Sequence, residues 1–281
     1  MPHSGELRLM VANVLRHIRH DLRVYRASLI VQFKAAAALR GAFIMQIIGM
    51  MVNNSALVAA WLFFFHQFGT VNGWSGVDFI GMMGVNALVF GLTSFLCVGL
   101  MDMPRHVDTG SMDAFLTKPT SVLGNVASSN MDITTVGDML FGIGVLLWYA
   151  IYKGIDPLAV LPFALMLVVA CVVFWCFVLL LPNVIAFYLF DSERISRSIG
   201  VFFLGAGEYP AGVLTGPIRT GLLLGVPALF YAAVPLDVLR GVHWELIGVG
   251  VVVAAFWLTF SLWLFRRALK KYESANLIGA R

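Results

Sequence analysis

Charged residues and long apolar runs take turns along this chain. Uncharged stretches run from Gly41 to Phe65, Phe79 to Met101, Pro157 to Phe190, Thr220 to Leu236 and Leu246 to Phe265. A shorter run covers Met139 to Tyr152; starting it at Ile133 brings it to about 20 residues, enough to cross about 30 Å of hydrocarbon as a helix. That extension carries Asp138 to the membrane edge or against a neighbouring helix. The pattern predicts six spans. The run from Pro157 is longer than a bilayer requires, which predicts tilt, a bend near Pro182 or protrusion.

The segments between and before the runs have patterns of their own. Leu7, Val11, Val14, Ile18, Leu22, Tyr25 and Leu29 recur at steps of three and four, with arginines on much of the other face. Residues 5–34 therefore read as an amphipathic helix. It suits the interfacial plane of an anionic leaflet, and equally a seat on the protein's own cytoplasmic loops. The longest polar stretch between spans is the loop 102–132, DMPRHVDTGSMDAFLTKPTSVLGNVASSNMD. A short helix is predicted from Ser111 to Thr117, with Ser111 as N-cap, Asp113 in the first turn and Pro119 as the stop. Met112, Phe115 and Leu116 would form its apolar face. Residues 199–215 read as an interfacial or broken helix feeding the fifth span.

Composition turns these runs into a class. The chain is 60% hydrophobic and 12% charged, against about 25% charged in soluble domains. This is an all-α integral membrane protein of three parts: an amphipathic segment 1–40, a six-span region 41–265 and a basic tail 266–281. The net charge of +4 is no nucleic-acid footprint, because the bases sort by side. With six spans, only Lys153 and Arg240 fall opposite the termini. The positive-inside rule then places both termini in the cytoplasm and the chain in the cytoplasmic (inner) membrane. The first apolar run begins only at residue 41, so no cleavable signal peptide is expected. Cys97, Cys171 and Cys176 all fall in apolar runs and read as buried packing residues.

Polar residues within the spans are the candidates for chemistry. Gln46, Asn53 and Asn54 share one face of the first span, and Asn86 and Thr93 share one side of the second. They suit a substrate path or hydrogen bonds between helices. Phe63 to Phe65 with His66 suit an outer gate or an aromatic belt. Trp74 and Trp244 read as interface anchors, and Gly212/Gly216 and Gly221/Gly225 have the small-xxx-small spacing of helix contacts. Asp138 and Glu208 are the only acids near the apolar cores. The dipeptide Gly-Lys does not occur, so no P-loop exists, and neither His-Glu-x-x-His nor Gly-x-Ser-x-Gly is present. No catalytic residue and no metal ligand set is expected. Such a chain would draw transport energy from a partner.

Gly110, Asp113, Leu116, Lys118 and Pro119 resemble the G-x-[LM]-D-x-x-[LI]-x-[KR]-P signature of the ABC-2 family, six-span permease subunits of ATP-binding-cassette exporters. Val136-Gly137-Asp138, Glu208-Tyr209-Pro210, Val226-Pro227-Ala228 and Val234-Pro235-Leu236 are also similar, as is the tail from Arg266 to Ser274, where Ala268 stands in place of a frequent glycine. The resemblance implies a dimer of permeases, alike or sister, in membrane lipid. Each copy would sit on an ATP-binding-cassette ATPase subunit that holds ATP and Mg, with no cofactor on this chain. It also implies a cytoplasmic coupling helix between spans two and three, drawing on Arg105, Asp108, Gly110, Met112, Asp113, Phe115, Leu116, Lys118 and Pro119. The implied cargo is hydrophobic or amphipathic: a drug-like compound, antibiotic or lipid. A stand-alone secondary transporter or channel, and a scaffold or immunity protein without transport, remain open as alternatives.

Overall fold

The computed structural model describes residues 3–38, 40–71, 73–209, 214–241 and 244–272, and among them it is all helix and connection. The order is α1 (His3–Ala38), α2 (Arg40–Phe68), α3 (Gly76–Cys97), α4 (Met103–Asp108), α5 (Asp113–Leu116), α6 (Val122–Ala127), α7 (Thr134–Lys153), α8 (Val160–Phe174), α9 (Leu181–Val184), α10 (Glu193–Gly207), α11 (Gly216–Thr220), α12 (Ala233–Leu239) and α13 (Leu246–Leu269). Five segments are long and apolar enough to cross a membrane: Arg40–Phe68, Gly76–Asp108, Thr134–Lys153, Pro157–Phe187 and Leu246–Leu269.

The predicted fifth span is no single helix. After α11 the chain forms a π turn over Gly221–Gly225, goes extended at Val226, and resumes through a 3₁₀ turn, Ala228–Phe230, into α12. Pro227 forces this break: it has no N–H, and its ring pushes the preceding residue out of helical geometry. The Leu224 carbonyl freed near the break accepts from the Trp257 indole N–H of α13 at 3.3 Å. From Ala228 onward the segment is the most enclosed part of the fold, with Ala228 to Leu239 almost wholly buried.

Near Pro182, where tilt, a bend or protrusion was expected, the helix changes type. The helix unwinds into a π segment over Trp175–Leu180 before α9. Pro182 cannot donate back up the helix, and the Asn183 side-chain amide donates to the carbonyls of Leu179 at 2.8 Å and Val178 at 3.5 Å.

Contact between α3 and α7 is the tightest in the bundle. A Cβ on Gly142 would sit 2.6 Å from the Leu88 backbone nitrogen, and one on Gly91 would sit 2.8 Å from the Thr135 carbonyl. Glycine lets the two backbones touch where lipid tails offer no hydrophobic drive for association. The glycines singled out by spacing behave otherwise: Gly216, Gly221 and Gly225 have open space where a side chain would be. Gly212 lies outside the described residues, as do Pro210 and the tail residues from Glu273 onward. The side chains from Leu7 to Ile18 lie outside them too.

Of the two expected positions for α1, the structure shows contact with the protein itself. Ser28 Oγ donates to the Ser128 carbonyl and Gln32 Nε2 to the Ser129 carbonyl, both at 2.8 Å, and the Tyr25 hydroxyl reaches the Leu96 carbonyl. Burial pushes the Tyr25 phenol well above its usual range. Arg19, Arg23 and Arg26 remain exposed.

Candidate functional site

Two places in the bundle gather polar chemistry. The first lies at the start of α3. Ser75 caps the helix reciprocally: its hydroxyl oxygen accepts from the Asp78 N–H, and Asp78 Oδ2 accepts from the Ser75 N–H at 3.0 Å. Asp78 is 3% exposed. Its other oxygen takes the Tyr149 hydroxyl at 2.9 Å, Lys153 Nζ at 3.0 Å and Arg240 Nε at 3.5 Å. Arg240 also pairs with Asp237 at 3.2 Å and covers the Trp74 ring at 4.9 Å. Trp74 is therefore buried beneath a guanidinium rather than exposed as an interface anchor; Trp244 is exposed. The two bases expected opposite the termini are thus both neutralised at one acid.

The second place is a cavity of about 200 Å³ among α2, α3, α7, the end of α10 and the Ala228–Ala232 turn. Its polar lining is Asn53, Asn54, Asn86, Asp138, Glu208 and Tyr231; the remaining lining is methionine, leucine, alanine and phenylalanine. Asn54 Nδ2 donates to Asp138 Oδ1 at 2.7 Å, and the Tyr231 hydroxyl donates to Asn86 Oδ1 at 2.8 Å. Asp138 is 2% exposed, and its Oδ2 has no hydrogen-bond partner among the described residues. Burial raises the Glu208 carboxyl above its usual range.

The structure thus unites three of the five substrate-path candidates, Asn53, Asn54 and Asn86, and leaves two elsewhere. Gln46 is exposed on α2 and does not line the cavity. Thr93 is buried at a different, apolar groove with Cys97, Cys171 and Trp175. Tyr231 carried no signal in the sequence, because a hydroxyl in an apolar run has no periodic partner. Glu208 and Asp138 did carry one, as the only acids near the apolar cores. Phe65 packs on Phe79 with ring centres 5.7 Å apart, while Phe63 and Phe64 are exposed.

The loop 102–132 forms α4, α5 and α6. α5 is one turn long, and Ser111 does not cap it; the Ser111 hydroxyl is hydrogen-bonded with His106 Nδ1 at 2.9 Å and Thr109 at 3.0 Å. Gly110 takes a left-handed φ of 72°, which glycine adopts without steric cost, so the chain turns sharply into α5. The expected apolar face is split. Met112 and Phe115 point into the core and Phe115 packs on the His106 ring, while only Leu116 stays exposed, beside Lys118 and Pro119. Lys118 Nζ lies 5.0 Å from the Phe115 ring centre. Arg105 is exposed and pairs with Asp102 at 3.2 Å; Asp108 lies against the Asp191 backbone N–H. Asp113 neighbours the Tyr272 hydroxyl, whose pKa burial and that carboxylate push up to about 12.

Bundled apolar helices around a polar, acid-lined cavity define a multi-pass membrane protein with the internal chemistry of a transporter. A family model described as ABC-2 family transporter protein matches residues 50–276, and the chain belongs to that family. Neither the curated proteins nor the solved structures include a significant match.

Proposed function

We propose that this chain is the membrane-spanning permease of an ATP-binding-cassette exporter, working as a dimer with a second permease copy or a sister subunit. The observation that carries the reading is a cavity of amides and acids among apolar helices, in a chain of this transporter family without a P-loop. Polar groups at membrane depth are costly and mark transport paths. Cargo would be hydrophobic or amphipathic, taken from the cytoplasmic side, with ATP and Mg held by the ATPase subunit.

In this reading the broken segment 216–239 is the sixth crossing. An irregular backbone is tolerated in a membrane where protein buries it, and Ala228 to Leu239 are buried. Six crossings put both termini and the loop 102–132 in the cytoplasm of an inner-membrane protein. The exposed Leu116, Lys118 and Pro119 are then the surface offered to the ATPase, and buried Met112 and Phe115 anchor it. Arg105, Asp108, Gly110 and Asp113 set the shape and charge around it. Alternating access follows if ATP binding changes the relative stability of inward- and outward-facing states.

The test is reconstitution with a candidate ATP-binding-cassette ATPase. The reading expects a stable complex whose hydrolysis rate changes when the permease is present. Flux that needs only an ion gradient, with no ATPase bound, would overturn it.

A further inference from the structure

The cavity carries a further inference, which builds on the transport reading. Among the described residues its lining includes two carboxyl groups and no lysine, arginine or histidine. Asp138 is buried with one oxygen bonded to the Asn54 amide and the other without a hydrogen-bond partner among the described residues. Tyr231 is within electrostatic reach of both acids, but its hydroxyl is committed to Asn86. A buried carboxyl without a positive partner is unfavourable as an anion, so it holds a proton until a cation supplies the charge. The Asn54 amide satisfies one oxygen and orients the group; the second is buried in the cavity wall with no hydrogen-bond partner among the described residues. Phe90 and Phe141 also line the space, and aromatic faces attract cations.

We propose that Asp138 and Glu208 form a cation-accepting site, so that the cargo is an amphiphile carrying an ammonium-type group on an apolar body. About 200 Å³ accommodates a head group. The cationic head sits against the Asp138 carboxyl, with Asn53 and Asn86 as polar neighbours and the apolar body among the Met and Phe side chains. Glu208, at the end of α10, lines the same cavity; one ammonium balances one carboxylate, so Glu208 holds its proton while Asp138 takes the cation. In this arrangement Asp138 is a binding residue, and the Asn54–Asp138 hydrogen bond positions it.

The probe is benzyltrimethylammonium, a permanent cation, paired with neopentylbenzene, its uncharged carbon isostere. Binding of the tritiated cation is measured by scintillation proximity on the full chain in lipid nanodiscs, without any ATPase. The wild-type protein is expected to bind the cation, and excess isostere to compete at least tenfold more weakly than unlabelled cation. Asp138→Asn keeps an acceptor for Asn54 and removes the charge; it should weaken binding at least tenfold while elution profile and thermal transition hold. Glu208→Gln should weaken it less. Equal competition by the isostere overturns the proposal and leaves an apolar cavity only. So does unchanged affinity in both variants, or no saturable binding by the wild type. If Asp138→Asn fails to fold, the isostere comparison and Glu208→Gln decide. Because no ATPase is present, a cation site that stands while every ATPase fails to bind would sink the exporter reading alone.

Discussion

Placing one methyl group on α7 at two positions should give opposite results. Gly142 and Gly144 lie on the same helix, and alanine is favoured over glycine in a helix by about 1 kcal/mol. At Gly144 the new Cβ meets nothing within 4 Å, so Gly144→Ala should stabilise or be neutral. At Gly142 it would stand 2.6 Å from the Leu88 nitrogen, 2.7 Å from the Gly84 carbonyl oxygen and 2.8 Å from Leu88 Cβ, where ordinary contact begins at 3.4 Å. Two of those atoms are backbone, so no rotamer change relieves the clash. α3 and α7 must part by about 0.8 Å, and dispersion contacts fall off steeply over such a gap. Overpacking of this kind costs about 1–3 kcal/mol. The propensity gain is common to both variants and cancels, so the gap between them should be about 1–3 kcal/mol. SDS titration of the purified protein in mixed micelles, followed by tryptophan fluorescence, reads it. If Gly142→Ala and Gly144→Ala shift the transition in the same direction by similar amounts, the close approach of α3 and α7 is wrong.

Asp78→Ala removes the partner of Lys153 and of the Tyr149 hydroxyl and leaves Arg240 with Asp237, so it should cost about 1.5–3 kcal/mol in the same titration, whereas Lys153→Ala, at a partly exposed side chain, should cost about 1 kcal/mol or less. Leu116→Asp and Lys118→Glu should weaken ATPase association in pull-downs with folding intact; Met112→Ala should instead lower thermal stability, and the reverse pattern would show that α5 docks by its other face. Ser28→Ala with Gln32→Ala should release α1 from the loop after α6, seen as faster protease cleavage within residues 19–38, at about 1 kcal/mol per lost bond.

Much of this fold is legible in the sequence because hydrocarbon imposes a length and a polarity that few residues can meet. Five helical segments long and apolar enough to cross a membrane start within three residues of the first four runs and the last, and Ile133 stands as the N-cap of α7. The fifth run is apolar enough, yet Pro227 breaks it, and composition does not register backbone donors that are missing. Periodicity gave α5 an apolar face and left open which way it pointed; burial of Met112 and Phe115 answers that. The shared face of Asn53 and Asn54 was readable, but the pairing of Asn54 with Asp138 and of Asn86 with Tyr231 depends on which helices become neighbours, a property of the whole bundle. Trp74 read as an anchor because tryptophan favours interfaces; a guanidinium far along the chain, Arg240, instead covers it.

The joint at Asp78 also has an order in time. The chain emerges from its amino end, so Asp78 arrives with only Ser75 to satisfy it. Tyr149 follows 71 residues later, with Lys153 just behind. Arg240 comes last, after the broken segment that ends in α12 has been threaded among the other helices. The acid therefore acquires its full set of partners only when nearly the whole bundle has been made and seated. A chain that stops short, or seats that segment wrongly, carries a carboxylate at the start of α3 without its full set of partners.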